Sequence, residues 1–207
     1  MVSIAQRDWA IGLIVPIFKK KGSRFDPNNY RGITLLSCLG KLFTLCINTR
    51  LNKFVTDRNI LGEEQTAFRD DYSTLDHIFV FNELINFYLH KNKRLFCCFI
   101  DYNKAFDSIN RKALWSKIIK NGINGKILRV IYNMYESAKS CIKQQNMTSG
   151  LFACNLGVRQ GENLSPLLFA LFLNDFETSL SVKYNGLPTF LKASKCIDNL
   201  CRPRGDC

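Results

Sequence analysis

The chain has 207 residues, 46% of them hydrophobic and 12% aromatic. That length allows one large or two small domains, and the composition excludes a disordered polar chain. Lysine and arginine number 29 against 17 acidic residues, a net charge of +12, which points to polyanionic partners and above all to nucleic acid.

The N-terminal segment MVSIAQRDWAIGLIVPIFKKK places its apolar run before its basic cluster, the reverse of a secretory signal. Neither that run nor LLFALFL at 167–173 is long enough to span a bilayer, so no membrane role is expected. The nine cysteines, an odd number with Cys97 and Cys98 adjacent, read as mostly reduced core thiols. Three of them, Cys196, Cys201 and Cys207, lie far from the only histidines, His77 and His90, and do not suggest a zinc site. Asn146-Met147-Thr148 matches a glycosylation sequon, which without secretion marks only an exposed turn. Charge is uneven along the chain: residues 1–56 carry a net +7, residues 57–110 a net −3, and residues 111–207 a net +8. Basic flanks around an acidic middle suit a polyanion crossing a centre that holds a metal-binding carboxylate.

In chain order, IGLIVPIF at 11–18 predicts a strand, and KKKGSRFDPNNY after it a basic loop punctuated by Gly22 and Pro27. From Lys41 to Val55, Leu42, Leu45, Cys46, Leu51 and Phe54 approximate a helical stripe that Arg58-Asn59 ends. Ser73 and Asp76 form a capping pair ahead of a second helix bearing Ile78, Phe81, Leu84, Ile85 and Tyr88. LFCCFID, Leu95 to Asp101, is a compact apolar run that suits a buried strand, with Phe99 and Asp101 on one face. Two helices follow, about 110–120 and 124–138, capped by Asn110 and Asn124, the first closed by Asn121-Gly122 and the second with Ile127, Leu128, Ile131, Tyr132 and Tyr135 as its apolar face. CIKQQ and LFACN around NMTSG predict a hairpin at about 141–157. Ser165 as N-cap and Pro166 at the first helical position open LLFALFLNDFETSL, and 187–207 lacks periodicity.

The segment FIDYNKAFDSIN carries the chemistry. It places Asp101 at the end of the predicted strand, where a rigid carboxylate can face a cleft, and Asp107 six residues later, read as a helix N-terminal residue. Enzymes that join phosphates hold Mg²⁺ with few protein carboxylates and let substrate phosphates complete the shell, so Asp101 is the natural first ligand.

Four blocks occur in order: PIFKKKGSRFDPNNYRGITLLS at 16–37, QTAFRDDYSTLDHIF at 65–79, FIDYNKAFDSINRKALW at 100–115 and GVRQGENLSPLLFALFLND at 157–175. With them the chain resembles the reverse transcriptases of non-LTR, LINE-type retrotransposons over roughly residues 10–185. The resemblance implies an α+β fold of right-hand polymerase type, with a fingers-like region at 1–94, a partial palm with an incomplete sheet at 95–186, and an irregular tail at 187–207. It implies that Asp101 is the first metal-binding aspartate of the palm, and that Phe106 is the bulky residue whose ring leaves no room for a 2′-hydroxyl, core packing being the other reading of Phe106. Gln160 and Gly161 then belong to the block beneath the nascent base pair, and Ser165 and Pro166 start its supporting helix. Lys19 or Lys20 and Arg31 match cations that grip the triphosphate of the incoming nucleotide, where positive charge neutralises the leaving pyrophosphate. Arg69 and Arg159 are implied nucleic-acid contacts, Arg159 alternatively a solvated charge. The implied cofactor is Mg²⁺, or Mn²⁺, and the implied partners are an RNA template, a DNA primer and deoxynucleoside triphosphates in the nucleus or cytoplasm.

The sequence departs from that family in four ways. AFR at 67–69 stands where the family has Gly-Phe-Arg, which predicts strain at Ala67. Asp70 and Asp71 add negative charge where nucleic acid would pass, and Glu162 replaces a cysteine. The F/Y-x-D-D turn that in the family follows the last block and supplies the second half of its carboxylate set does not occur after residue 175; Asp175, Asp198 and Asp206 lack that setting. Two-metal transfer needs ligands for both ions, so little or no activity is expected from these residues alone. A non-catalytic RNA-binding module and a gene remnant that does not fold stably are the readings left open beside a polymerase fragment.

Overall fold

The structure is a computed structural model and describes residues 11–63, 65–69 and 72–176. The chain divides into two compact units, one made of residues 1–60 and 106–172, the other of 61–105 and 173–207. The fold is mixed α+β with a five-stranded mixed sheet, and all five strands belong to the first unit.

That sheet is built on β1 (Ile11–Phe18), which pairs antiparallel with β2 (Tyr30–Leu35) from Leu13↔Leu35 to Phe18↔Tyr30. The first half of β1 also pairs in parallel with β3 (Lys139–Gln144), Ile11 opposite Lys139 and Ile14 opposite Ile142. β3 in turn accepts two short antiparallel partners, β4 (Met147–Thr148) and β5 (Phe152–Ala153). The expected ribbon is thus present but interrupted. Ser149 breaks it by exchanging bonds with Ile142: its N–H donates to the Ile142 carbonyl at 2.9 Å and its Oγ accepts from the Ile142 N–H at 2.9 Å.

Helices α1 (Cys38–Asp57), α3 (Arg111–Lys120), α4 (Gly125–Glu136) and α5 (Ser165–Leu173) lie in or run through the first unit. Asn110 caps α3 as expected, its Oδ1 accepting the Ala113 N–H at 3.1 Å, and Gly122 follows α3 in the left-handed region at φ 78°. α5 is apolar all round, which suits only a central position. Leu167, Leu168, Phe169, Ala170 and Leu171 are all buried, as are Leu114 and Ile118 of α3, Ile123, and Ile131 and Tyr135 of α4. Each such aliphatic side chain contributes roughly 1.5–3 kcal/mol through burial. α5 ends at Leu173 and is followed by a turn at Asn174 and Asp175; of FETSL only Phe176 lies within the described residues.

α1 starts three residues before the predicted Lys41 and turns inward a different face. Gly40, Thr44, Ile47, Leu51 and Val55 are buried, whereas Leu42 and Leu45 of the expected stripe are exposed. Small residues at Gly40 and Thr44 allow close packing that a count of large apolar residues does not register.

In the second unit, α2 (Thr74–His90) starts at the expected capping pair, the Ser73 N–H donating to Asp76 Oδ2 at 2.8 Å. Ile78 is exposed, and Phe81, Leu84, Ile85 and Tyr88 are half-buried. The predicted strand at 95–101 is not formed: residues 93–102 are irregular, and Phe96 and Phe99 are exposed. A strand needs a neighbour to satisfy its backbone groups, and the described residues of this unit include no other strand. Here Phe99 packs edge-on against Phe81 of α2, centroids 5.9 Å apart.

Of the six cysteines within the described residues, only Cys141 is buried, while Cys38, Cys46, Cys97 and Cys98 are exposed. All six are free thiols, but they are not core residues as a group. Cys196, Cys201 and Cys207 lie outside the described residues, and so does the predicted tail. No helix among the described residues is long and apolar enough to cross a membrane.

Candidate functional site

The first unit brings the second half of the FIDYNKAFDSIN block against GVRQGENLSP. The Gly157 N–H donates to the Ile109 carbonyl at 2.9 Å and the Val158 N–H to the Phe106 carbonyl at 2.8 Å. Gly157 sits at φ 73°, and a Cβ there would lie 2.6 Å from the Phe106 carbonyl oxygen and 2.7 Å from Asp107 Cα. Only glycine fits so close an approach in that conformation. Gly161, at φ 96°, is pressed against β2, where a Cβ would stand 2.8 Å from the Thr34 carbonyl oxygen. The close approach expected of Gly161 is therefore made to the protein's own strand.

Between these glycines, Gln160 directs its amide nitrogen at Asp107, 3.0 Å from Oδ1 and 2.9 Å from Oδ2. Asp107 is not the helix N-terminal residue the sequence predicts: α3 begins at Arg111, with Asn110 as its cap, and Asp107 lies in the preceding turns. With its nitrogen turned to the carboxylate, the Gln160 amide keeps its oxygen as the end able to accept from another group. Phe106 is buried and its ring stacks on Phe169 of α5, centroids 5.0 Å apart with 21° between planes.

A buried polar network holds the loop from behind, and sequence reasoning misses it: Arg111 is not singled out there, and Tyr135, Ser165, Glu162 and Arg159 are named only as an apolar-face residue, an N-cap, a departure from the family and a cation. Arg111 donates from Nε to the Gly157 carbonyl at 2.8 Å, from Nη1 to the Tyr135 carbonyl at 2.8 Å and from Nη2 to the Leu156 carbonyl at 3.3 Å. The Tyr135 hydroxyl donates to Glu162 Oε2 at 2.7 Å, and Ser165 Oγ donates to the Arg159 carbonyl at 2.7 Å. Ser165 is the first residue of α5 and not the N-cap expected from the sequence, and its hydroxyl fastens the loop back on itself. Burial raises the Glu162 carboxyl above its ordinary value, against the Tyr135 hydrogen bond and the positive charges of Arg159 and Arg111, which pull it down. Burial, together with the Glu162 charge, also pushes the Tyr135 hydroxyl well up. Arg159 is itself buried, so the reading of it as a solvated charge is corrected: it faces the charge of Glu162.

The cations at the other end of β1 and β2 share one hairpin. Arg31 stands on β2 opposite Ile17 and is exposed. Lys19 follows β1; its N–H donates to the Asn29 carbonyl at 2.8 Å and its Nζ to the Asn28 carbonyl at 2.9 Å. Lys20 is exposed and left-handed, φ 55°. Arg31 and Thr34 lie three positions apart on one strand, about 10 Å. The sheet therefore ties the cationic hairpin to the Gly161 loop.

Asp101 and Arg69 belong to the second unit. Asp101 is exposed in irregular chain. Arg69 organises its own loop, donating from Nη1 to the Gly62 carbonyl at 2.9 Å and the Gln65 carbonyl at 3.3 Å, with its guanidinium 4.3 Å from the Tyr72 ring centroid and 4.0 Å from Glu63. The strain expected at Ala67 falls one residue later: Phe68 is left-handed at φ 59°, while Ala67 is buried without a positive φ. Asp70 and Asp71 lie outside the described residues, as do Asp198 and Asp206. Among the described residues, no three histidine, cysteine or acidic side chains come together as metal ligands. They do not by themselves fit a two-metal centre.

A family model described as "Reverse transcriptase (RNA-dependent DNA polymerase)" matches residues 18–197. Among curated proteins, the probable RNA-directed DNA polymerase from transposon BS of Drosophila melanogaster is 30% identical over 174 residues, 84% of this chain and 19% of that protein. The probable RNA-directed DNA polymerase from transposon X-element of the same species is 27% identical over 170 residues, 81% of this chain and 18% of that protein. The RNA-directed DNA polymerase from mobile element jockey of Drosophila funebris is 26% identical, over 82% of this chain and 18% of that protein. The chain spans less than a fifth of the length of each of these relatives.

Proposed function

Because the chain belongs to the reverse transcriptase (RNA-dependent DNA polymerase) family and is similar to the enzymes of non-LTR retrotransposons, we propose that it forms the fingers and front palm of an RNA-directed DNA polymerase. The reaction is attack of a primer 3′-hydroxyl on the α-phosphorus of a deoxynucleoside triphosphate. A phosphorus–oxygen bond to the primer forms, the bond to pyrophosphate breaks, and the hydroxyl gives up its proton. The family implies a divalent metal, Mg²⁺ or Mn²⁺, and Asp101 is the carboxylate assigned to it. Lys19, Lys20 and Arg31 are assigned to the triphosphate, Phe106 to exclusion of a 2′-hydroxyl, Gln160 and Gly161 to the floor beneath the new base pair, and Arg69 and Arg159 to the nucleic-acid path. Since Arg159 is buried and Arg69 is committed to its loop, these two act by holding loops in shape.

The observation that carries this reading is the frame joining Phe106–Asp107, Gln160–Gly161 and Thr34 of β2 through hydrogen bonds and glycine contacts. A nucleotide site needs such rigidity, because misplacement by about 1 Å costs orders of magnitude in rate. The test is photo-crosslinking of labelled deoxythymidine triphosphate to the protein on an RNA template and DNA primer. Labelling that deoxynucleotides compete away, that ribonucleotides compete away more weakly, and that Arg31→Ala abolishes is expected. Equal competition by both sugars contradicts the role of Phe106.

A further inference from the structure

Phe25 is 99% exposed, the most exposed large apolar residue of the protein's described part, yet it sits in a loop that is closely built. Within 19–30 the Asn29 side chain donates to the Ser23 carbonyl at 2.8 Å, the Tyr30 hydroxyl to the Arg24 carbonyl at 2.8 Å, and the Asn28 N–H to Asp26 Oδ1 at 2.9 Å. Lys19 Nζ closes the loop on Asn28, and the Arg24 guanidinium lies 5.4 Å from the Phe18 ring centroid. The Phe25 N–H itself donates to Ser23 Oγ at 3.2 Å. Its backbone is therefore fixed while its ring meets only solvent. Holding an aromatic ring in water has no folding benefit, since no apolar area is buried.

The charge around the ring selects its partner. Residues 19–31 hold five cations, Lys19, Lys20, Lys21, Arg24 and Arg31, against one acid, Asp26. An apolar protein partner would have to desolvate those cations, whereas a polyanion with free aromatic faces satisfies both features. Single-stranded nucleic acid offers phosphates and unstacked bases together along a strand, which a free nucleotide does not, and duplex bases are already stacked. Resting on the polymerase reading, we infer that Phe25, at the tip of the β1–β2 hairpin, is a stacking platform for an unpaired base whose backbone is bound by Lys21 and Arg24, the loop cations not assigned to the triphosphate. This adds to that reading a binding site for unpaired template.

The test is fluorescence anisotropy of the full chain with a labelled mixed-sequence single-stranded RNA, the same RNA in duplex form, and inorganic polyphosphate. The ring touches nothing, so Phe25→Ala leaves the fold intact, which equal thermal unfolding of the variant verifies. Phe25→Ala is expected to weaken single-strand binding by about tenfold, in the range of one lost base stack, with the salt slope unchanged. Duplex and polyphosphate binding stay at the wild-type value, and Phe25→Trp restores single-strand affinity. Equal single-strand affinity in wild type and Phe25→Ala overturns the inference while leaving the polymerase reading intact, as does an equal loss for polyphosphate. Absence of any RNA binding by the wild type overturns both.

Discussion

The carboxylate of Asp107 receives the amide nitrogen of Gln160 at 3.0 and 2.9 Å, although 53 residues separate the two in sequence. This contact joins the Phe106–Asp107 and Gln160–Gly161 parts of the proposed site and fixes which end of the Gln160 amide is free. Asp107 accordingly acts as a positioning residue for Gln160.

The pair is accessible to solvent, so its coupling is modest. A double-mutant cycle of Asp107→Ala and Gln160→Ala by chemical denaturation should give about 1 kcal/mol, typical of a hydrogen bond to a charged group after screening. A coupling indistinguishable from zero contradicts the contact.

Gly161 and Gly122 separate conformational cost from crowding. Both are left-handed, at φ 96° and 78°, but a Cβ at Gly122 meets nothing within 4 Å. Gly122→Ala should cost about 1 kcal/mol, from backbone conformation alone. Gly161→Ala should cost more, about 2–4 kcal/mol, because Thr34 or the loop must move as well. Equal losses would mean that the loop is not pressed on β2.

Arg111 is the buried fastener of the loop. Replacing it with alanine removes the guanidinium donor from the carbonyls of Leu156 and Gly157 and from that of Tyr135, which keeps only the Ala138 N–H at 3.3 Å and the Ser137 cap contact, and a loss of about 3 kcal/mol or more is expected. Arg111→Lys recovers only part of it, since an ammonium cannot reproduce the planar fork. Full rescue by lysine in thermal unfolding would contradict the three-carbonyl geometry.

Glu162 makes stability depend on pH with a definite sign. Its folded carboxyl is raised above the ordinary 4.5, so over the interval from that value up to the folded one the native state binds more protons than the unfolded state. Stability from this group is therefore complete below the ordinary value and is lost as pH rises through the folded one. Glu162→Gln keeps an acceptor for the Tyr135 hydroxyl and removes the ionisation. The variant should unfold at a higher temperature than wild type at neutral pH, the gap closing on acidification. A gap that widens on acidification contradicts the assigned direction.

Local signals in the sequence were legible where the physics is local. Asn110 caps α3, Ser73 and Asp76 open α2, and the β1 strand runs from Ile11 to Phe18 as its composition predicts. The misreadings arose where distant residues decide. LFCCFID has the composition of a buried strand but no strand partner among the described residues of its unit, and α1 buries Gly40 and Thr44 in place of Leu42 and Leu45. At the site, the resemblance put Phe106, Gln160 and Gly161 on the list, and the structure brings them into one unit. It could not reveal that Asp107 orients Gln160 or that Arg111 and Tyr135 support the loop. Those contacts span 24 to 53 residues and leave no periodic trace. The substitution at Glu162 was visible, but its meaning depends on the buried Tyr135 hydroxyl.

The most direct test of the central claim, a polymerase-derived frame whose carboxylate set is not complete within these 207 residues, is primer extension on an RNA template with deoxynucleotides and Mg²⁺. Wild type and Asp101→Ala are compared, with circular dichroism establishing that both are folded. The account predicts template–primer binding by both and extension by neither. Extension by the wild type that disappears in Asp101→Ala would contradict it and would make Asp175, Asp198 and Asp206 the first candidates for the remaining metal ligands.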